Sequence, residues 1–209
     1  MAMHLSATPE IPRDQITGLI LAGGLGRRMS ADGRGLDKGL QAFAGKSMVE
    51  HVIARLAPQV GALMLNANRN PDEYRRFGHP VIADAIDGFA GPLAGLHAGL
   101  GVCSTRYLAT VPCDSPFLPL DLIRRLAQAL SQTGAQVAAA RSGEQSHPVF
   151  MLVDREVMPS LHEFLASGRR KIDAWYMSLP LVEVDFADDE AFRNINTLED
   201  LQRYEYAPR

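Results

Sequence analysis

Cysteine is nearly absent from this chain: Cys103 and Cys113 are the only two in 209 residues. Two thiols cannot build a disulfide framework or a cysteine-rich zinc site. An excess of charge of one sign is missing too. Lysine and arginine total 21 against 24 aspartates and glutamates, a formal net charge of −3. A generic binder of double-stranded nucleic acid carries a basic excess, so no nucleic-acid partner is expected. Long hydrophobic runs are also lacking, and none approaches the roughly 18 residues that span a bilayer, so no membrane partner is expected. Where a signal peptide would hold its apolar segment, the chain has Pro9, Glu10, Pro12, Arg13 and Asp14; a cytoplasmic location follows. What is present is an ordinary globular composition, 46% hydrophobic with a mean hydropathy of −0.06. That length and composition predict one domain over residues 16–209, after a disordered N-terminal tail over residues 1–15.

Short apolar runs alternate with longer helical patterns. Ile16–Leu21 reads as a strand closed by the turn signal Ala22-Gly23-Gly24. Ser47 opens a helix with Val49, Val52, Ile53 and Leu56 on one face, ended by Pro58 and Gly61. Residues 63–65 and 81–82 read as short strands, 71–77 as a short helix, and 93–100 as a helix of small residues packed closely on a sheet. A strand over 107–111 ends at Pro112, and Leu122, Ile123, Leu126 and Leu130 mark an amphipathic helix. This order predicts an α/β fold: three layers, a mostly parallel sheet with helices on both faces. Beyond Gly134 the rhythm changes. Residues 136–140 and 148–152 read as strands separated by a polar turn, with helical patterns at 161–165 and 197–204. This half is expected to complete the same sheet, with room for an antiparallel strand, and to wall one side of a cleft.

Three motifs invite readings that the residues do not sustain. Gly45-Lys46-Ser47 resembles the end of a P-loop, yet Leu40 stands where the first glycine is required. A turn followed by a serine N-cap fits better. Gly24-Leu25-Gly26-Arg27-Arg28-Met29 begins like a dinucleotide fingerprint, but Met29 occupies the position where close packing asks for glycine or alanine. Cys113 beside Asp114 reads better as a small core residue at a strand end than as a nucleophile, since no histidine is tied to it by spacing.

In an open parallel sheet, ligands bind outside the carboxyl ends of the strands. Those ends deliver Leu21-Ala22-Gly23-Gly24, Asn66-Ala67-Asn68-Arg69, Asp84 and Asp114 to one edge. Gly23, Gly24 and Gly26 let the backbone approach a ligand and leave N–H groups for an anion. Arg27, Arg28, Arg34 and Lys38 follow, countered by Asp32 and Asp37, a local basic excess that suits a polyphosphate. Asp114 among phosphates fits a Mg²⁺ ion, which takes one or two carboxylates plus phosphate oxygens and water. The structural alternative is a turn aspartate in Cys113-Asp114-Ser115-Pro116.

Leu21-Ala22-Gly23-Gly24, then Arg27-Arg28-Met29 and Asp37-Lys38-Gly39, resembles the signature of nucleotidyltransferases with a Rossmann-like, GT-A-like fold. Within these the sequence is most similar to the molybdenum cofactor guanylyltransferase family. Further matches are Gly91-Pro92-Leu93-Ala94-Gly95, Pro112-Cys113-Asp114-Ser115-Pro116, His147-Pro148-Val149, Gly168-Arg169-Arg170 and Asn194-Ile195-Asn196-Thr197. The resemblance implies a Mg²⁺-dependent transfer of GMP from GTP to the terminal phosphate of molybdenum-bound molybdopterin, releasing pyrophosphate. It implies that residues 21–24 contact the nucleotide, Lys38 its phosphates, and Arg28 the leaving pyrophosphate, while Asp114 holds the metal. Asn66 and Asp84 match nucleotide-contacting positions. Asn194, Asn196 and the basic pair Arg169 and Arg170 are assigned to the acceptor, with molybdoenzymes or their chaperones as partners for cofactor hand-over. For the asparagines the alternative is turn and helix-capping chemistry before Thr197; for the arginines it is a solvated surface.

Asp84 also admits a physical argument. Guanine presents adjacent N1–H and N2–H donors that one carboxylate can accept together, whereas cytosine presents an acceptor beside its amino group. A carboxylate at the base edge therefore favours GTP; one at the ribose decides nothing.

The chain departs from the family pattern at two places. Seven residues, 30–36, separate Met29 from Asp37, more than the family's spacing, which bears on where Lys38 sits. Leu198 stands where the family has proline at the first helical position. Competing functions are a cytidylyltransferase for the same cofactor, a sugar-1-phosphate nucleotidyltransferase, and a module that senses GTP without turnover. Retention of Lys38 and Asp114 weighs against the last.

Overall fold

The computed structural model describes residues 10–23, 37–86 and 91–205. The chain runs through β1 (Ile16–Leu21), a two-residue ribbon of β2 (Ala42–Phe43) and β3 (Lys46–Ser47), α1 (Met48–Leu56), β4 (Ala62–Asn66), α2 (Pro71–Arg75) and β5 (Val81–Ile82). It continues through α3 (Pro92–Val102), β6 (Tyr107–Pro112), α4 (Leu122–Thr133), β7 (Val137–Ser142) and β8 (Gln145–Asp154). The last elements are α5 (Met158–Ala166), α6 (Ile172–Tyr176), β9 (Leu181–Asp185) and α7 (Leu198–Glu205). Among the described residues, no helix is long and apolar enough to cross a membrane.

Seven strands form one sheet in the order β5-β4-β1-β6-β8-β7-β9. The pairs β5–β4, β4–β1, β1–β6 and β7–β9 are parallel; β6–β8 and β7–β8 are antiparallel. Strand alternation gives each face its own core. Ile16, Ile20, Leu65, Ala109 and Val111 pack with Val49, Val52 and Leu56 of α1 and Leu122, Leu126 and Leu130 of α4. On the other face Leu19, Met64, Leu108 and Val153 meet Leu93, Leu96 and Leu100 of α3, Leu161 and Leu165 of α5, and Trp175 of α6. The expected three layers are present.

Local chemistry explains the first helix. The Glu50 carboxylate accepts hydrogen bonds from the Ser47 backbone N–H and hydroxyl, both at 2.7 Å, so the Gly45-Lys46-Ser47 segment is a turn into a capped helix. In the segment before β1, Ile11 packs against the main core and an Arg13 N–H donates to the Pro58 carbonyl at 3.3 Å. Ile11 carries apolar surface that the main core can bury. The β2–β3 ribbon, α6 and β9 have no counterpart in the sequence reading.

One irregularity shapes the site. In the β7–β8 hairpin Ala139 pairs with Met151 but Ala140 pairs with His147, so residues 148–150 bulge out of the ladder. Pro148 lacks an N–H and cannot serve a ladder, which places a bulge there at little cost. The Val149 carbonyl is satisfied instead by the Thr110 hydroxyl at 2.7 Å. The β6–β8 pairing stops at Thr110–Met151, and the space between Pro112 and residues 145–150 opens as a cavity.

Candidate active site

The carboxyl ends of β1, β4, β5 and β6 lie side by side. Leu21 is in register with Asn66 and with Pro112, and Asn66 with Ile82. The ladder continues past the strand ends through Ala22 N–H to the Asn66 carbonyl (2.8 Å), Cys113 N–H to the Leu21 carbonyl (3.1 Å) and Ala67 N–H to the Ile82 carbonyl (2.9 Å). Leu21, Ala22, Gly23, Asn66, Asp84 and Asp114 are therefore brought to one edge, as the topology argument requires. Gly24 and Arg28, with the rest of the enlarged loop 24–36, lie outside the described residues.

On the β4–β5 side three side chains form a closed polar set. The Asn66 amide donates to one Asp84 oxygen at 2.9 Å and the Asn68 amide to the other at 2.8 Å. The Asp84 N–H returns a bond to the Asn68 amide oxygen at 2.8 Å. Each carboxylate oxygen keeps a lone pair for a further donor. Gly95 of α3 makes this arrangement possible: a Cβ there would stand 2.5 Å from both the Asn66 amide oxygen and a Leu21 methyl, so only glycine lets α3 press against the strand ends.

On the β6 side the Lys38 ammonium lies 3.0 Å from an Asp114 carboxylate oxygen and 2.5 Å from the Asn196 amide oxygen. Both Lys38 and Asp114 are largely buried. Their neighbour Asp37 is clamped by the Tyr74 hydroxyl at 2.5 Å and the Asn70 amide at 3.0 Å. Gly39 follows because a Cβ would sit 2.4 Å from the Tyr74 hydroxyl oxygen and 3.3 Å from the Cys113 side chain. The longer loop before Asp37 thus leaves Lys38 firmly placed. Burial, together with the nearby Asp114 and Asp37 carboxylates, pushes the Cys113 thiol well above its usual pKa, which fits a core residue and not a thiolate nucleophile.

The asparagines separate the two readings offered for them. The Asn194 amide oxygen accepts from the Ser115 hydroxyl at 2.5 Å, and the Ile195 N–H donates to the Asp114 carbonyl at 2.8 Å. Helix capping begins at the Asn196 backbone, whose N–H donates to the Asp200 carboxylate at 3.0 Å. The Thr197 N–H donates to the Asp200 carboxylate at 2.9 Å and the Asp200 N–H to the Thr197 hydroxyl at 3.0 Å. This reciprocal cap starts α7 without a proline at position 198, and it uses neither asparagine side chain. Phe43, Met48, Ile195 and Leu201 form a small apolar cluster that ties the β2–β3 ribbon to this segment.

Beside Lys38 and Asp114 lies a cavity of about 460 Å³ whose lining includes Pro112, His147, Phe192, Arg193, Asn194 and Asn196. Arg169 and Arg170 do not line it. The Arg169 guanidinium sits over the Phe164 ring at 4.3 Å, and an Arg170 N–H donates to the Leu165 carbonyl at 2.8 Å, capping the end of α5. Expected at the acceptor by resemblance, Arg169 and Arg170 meet Phe164 and Leu165 at the α5–α6 turn.

The Asp114 carboxylate also suits a divalent ion. One oxygen pairs with Lys38, and the other makes no hydrogen bond among the described residues. No cluster of three or more His, Cys, Asp or Glu that could hold a metal ion is found among the described residues.

Comparison with known proteins agrees with this architecture. Residues 18–180 match the family described as MobA-like NTP transferase domain. The chain is 51% identical over 202 residues to molybdenum cofactor guanylyltransferase of Ralstonia nicotianae, covering 92% of this chain and 97% of that protein. It is 52% identical over 197 residues to the protein of the same name from Bordetella petrii, covering 92% and 98%. The crystal structure of molybdopterin-guanine dinucleotide biosynthesis protein A from Archaeoglobus fulgidus superposes with a TM-score of 0.74 at 23% identity, over 90% of this chain and 96% of that one. The chain belongs to the MobA-like NTP transferase family.

Proposed function

We propose that this protein transfers GMP from GTP to the terminal phosphate of molybdenum-bound molybdopterin, forming the guanine dinucleotide cofactor and pyrophosphate. The observation that carries the reading is the Lys38–Asp114–Asn196 cluster, set between the Asn66–Asp84 polar group and the cavity lined by His147, Asn194 and Asn196. Two substrates can flank one ion pair there. The names of relatives about half identical over nine-tenths of the chain support the choice of substrates.

In this reading residues 21–24, Asn66 and Asp84 hold the nucleoside of GTP, and Lys38 holds its phosphates. An oxygen of the acceptor phosphate forms a bond to the α-phosphorus as the bond to the β-phosphate oxygen breaks, and pyrophosphate leaves. Such a step needs alignment and charge neutralisation more than a covalent intermediate. Asp114 would hold Mg²⁺ through the carboxylate oxygen that does not pair with Lys38, and the ion would supply charge neutralisation for the phosphates. Lys38 contributes a fixed cation that Asn196 and Asp114 orient from two sides, and Arg28 neutralises the departing pyrophosphate. Asn194 and Asn196 receive the acceptor. Arg169 and Arg170 are assigned to the outer part of the acceptor, with molybdoenzymes or their chaperones taking the product in the cytoplasm. A single domain over residues 16–209 carries the whole reaction.

Pyrophosphate release measured with GTP, CTP and ATP, with and without the pterin acceptor, tests this. Release above background with GTP plus acceptor, and not with CTP or ATP, is the expected result. Release with CTP in place of GTP overturns the choice of nucleotide, and no release with any pair overturns the enzyme.

A further inference from the structure

His147 and Asp189 on the cavity wall join Ser142 in a three-residue polar network that the reaction as described does not use. The Ser142 hydroxyl at the end of β7 lies 2.7 Å from a carboxylate oxygen of Asp189 and 2.6 Å from Nε2 of His147. A carboxylate has no proton to give, so the single hydroxyl proton of Ser142 points to Asp189. Nε2 of His147 must then carry the proton of the second bond and donate it to the Ser142 oxygen. In the neutral ring this leaves Nδ1 as an acceptor. The Phe192 ring stacks on the imidazole at 4.5 Å and 11°, with Phe150 edge-on to both rings. Ring orientation and tautomer are thus both determined by neighbours.

The remaining nitrogen faces the cavity. His147 lines it, its Nδ1 makes no hydrogen bond among the described residues, and that atom is not among the buried polar atoms sealed from solvent. The same bulge that opens the cavity sets His147 opposite Ala140 rather than in the regular register. A directed acceptor in a cavity of this size, beside aromatic rings, suits a flat nitrogen heterocycle that carries N–H donors. The pyrimidine edge of a pterin, with its ring N–H and exocyclic amine, has that chemistry; a sugar phosphate does not.

We propose that His147 is a specificity-determining residue for the acceptor: its Nδ1, oriented by Ser142 and Asp189, accepts a hydrogen bond from an N–H of the pterin ring. The proposal rests on the acceptor reading given above. Ser142 and Asp189 are positioning residues that act through His147.

The test compares wild type, His147→Phe and His147→Asn in pyrophosphate release, with GTP saturating and the pterin acceptor varied, alongside GTP affinity and thermal melting. Phenylalanine keeps the stack on Phe192 and removes the acceptor. Asparagine returns an oxygen near the position of Nδ1. His147→Phe is expected to raise the acceptor KM roughly five- to tenfold, the scale of one neutral hydrogen bond, with GTP affinity unchanged and kcat altered less than twofold. His147→Asn is expected to recover most of that KM. The charged groups at this ring are Asp189, from the segment after β9, and Arg193 on the same cavity wall. Protonation turns Nδ1 into a donor, so the wild-type acceptor KM rises as pH falls through the pKa of this ring, which burial holds below the usual histidine range, and the asparagine variant loses that rise. An unchanged KM in His147→Phe, or a loss that asparagine does not relieve, overturns the proposal. Absence of any wild-type turnover overturns the acceptor reading itself, so the two failures are distinct.

Discussion

The Lys38 ammonium and the Asp114 carboxylate meet at 3.0 Å across 76 positions of sequence. The ion pair stands where the carboxyl end of β6 faces the segment after the glycine-rich loop. Breaking it from either side strands a partly desolvated charge, so the two single variants are not equivalent to neutral surface changes.

Asp114→Asn separates charge from geometry. The amide oxygen still accepts from Lys38, so the melting temperature is expected to fall by only about 2–6 °C. Loss of the anionic oxygen is expected to lower pyrophosphate release at least about a hundredfold. Near-normal turnover in Mg²⁺ would remove the metal role from this residue.

Tyr74→Phe tests the anchor beneath Lys38. The buried Tyr74 hydroxyl donates to Asp37, whose remaining side-chain clamp is Asn70. Burial, and after it the nearby Cys113 and Asp37, raises the Tyr74 pKa far beyond its usual range, so the phenol is a donor at every working pH. Its removal is expected to cost about 1–3 kcal/mol, read as a drop in melting temperature of roughly 2–10 °C. A parallel fall in kcat is expected because Lys38 adjoins Asp37. Unchanged kcat in a destabilised variant would show that Asp37 serves folding alone.

Asp84→Asn places an amide against the two amides of Asn66 and Asn68, each of which donates to a different Asp84 oxygen. One of the two bonds must be lost. A decrease in the ratio of kcat/KM for GTP to that for CTP is expected, since the paired acceptor for guanine N1–H and N2–H is lost with the charge. A constant ratio with weaker binding of both nucleotides would sink the base contact and leave Asp84 as the holder of Asn66 and Asn68.

His97 supplies a pH dependence of stability. Its ring is buried between α3 and α5, stacked on His162, with Nε2 3.2 Å from the His162 Nδ1. Burial, then the adjacent His162, lowers its pKa from the usual 6.5. The unfolded chain therefore binds the proton at a higher pH than the folded one. Stability is fully present above about pH 6.5 and falls as pH drops from there to the lower folded pKa. His147, lowered chiefly by burial, adds in the same direction. The buried Nδ1 of His97 has no hydrogen-bond partner among the described residues, so His97→Leu is expected to be near neutral at pH 7.5 and more stable than wild type at pH 5.5. Parallel melting curves of the two proteins across that range would exclude His97 as the source.

Much of the framework was legible because its signals are local. Ile16–Leu21 and Val81–Ile82 form strands over the residues their apolar runs mark, and α1 starts at the Ser47–Glu50 box. The β2–β3 ribbon has two residues per strand, and β9 alternates half-exposed and exposed residues at the sheet edge. Neither carries a pattern long enough to read without its partner. Placing residues 21–23, 66, 84 and 114 on one edge followed from strand polarity alone.

The pairings inside the site had no such signal. Lys38 and Asn196 are 158 positions apart, Ser142 and Asp189 are 47 apart, and no periodicity links them. The contacts of Arg169 and Arg170 were not legible either: one guanidinium packs on Phe164 and the other donates to the Leu165 carbonyl, because a long guanidinium takes the nearest carbonyl or ring once the backbone turns. The sequence by itself determined a strand-and-helix order, a local basic excess in an acidic chain, and the residue types that can handle phosphate. Tertiary structure alone decided which of those residues touch: hydrogen bonds and ion pairs act over a few ångströms, and only the assembled sheet, with its bulge at Pro148, brings distant positions within that range.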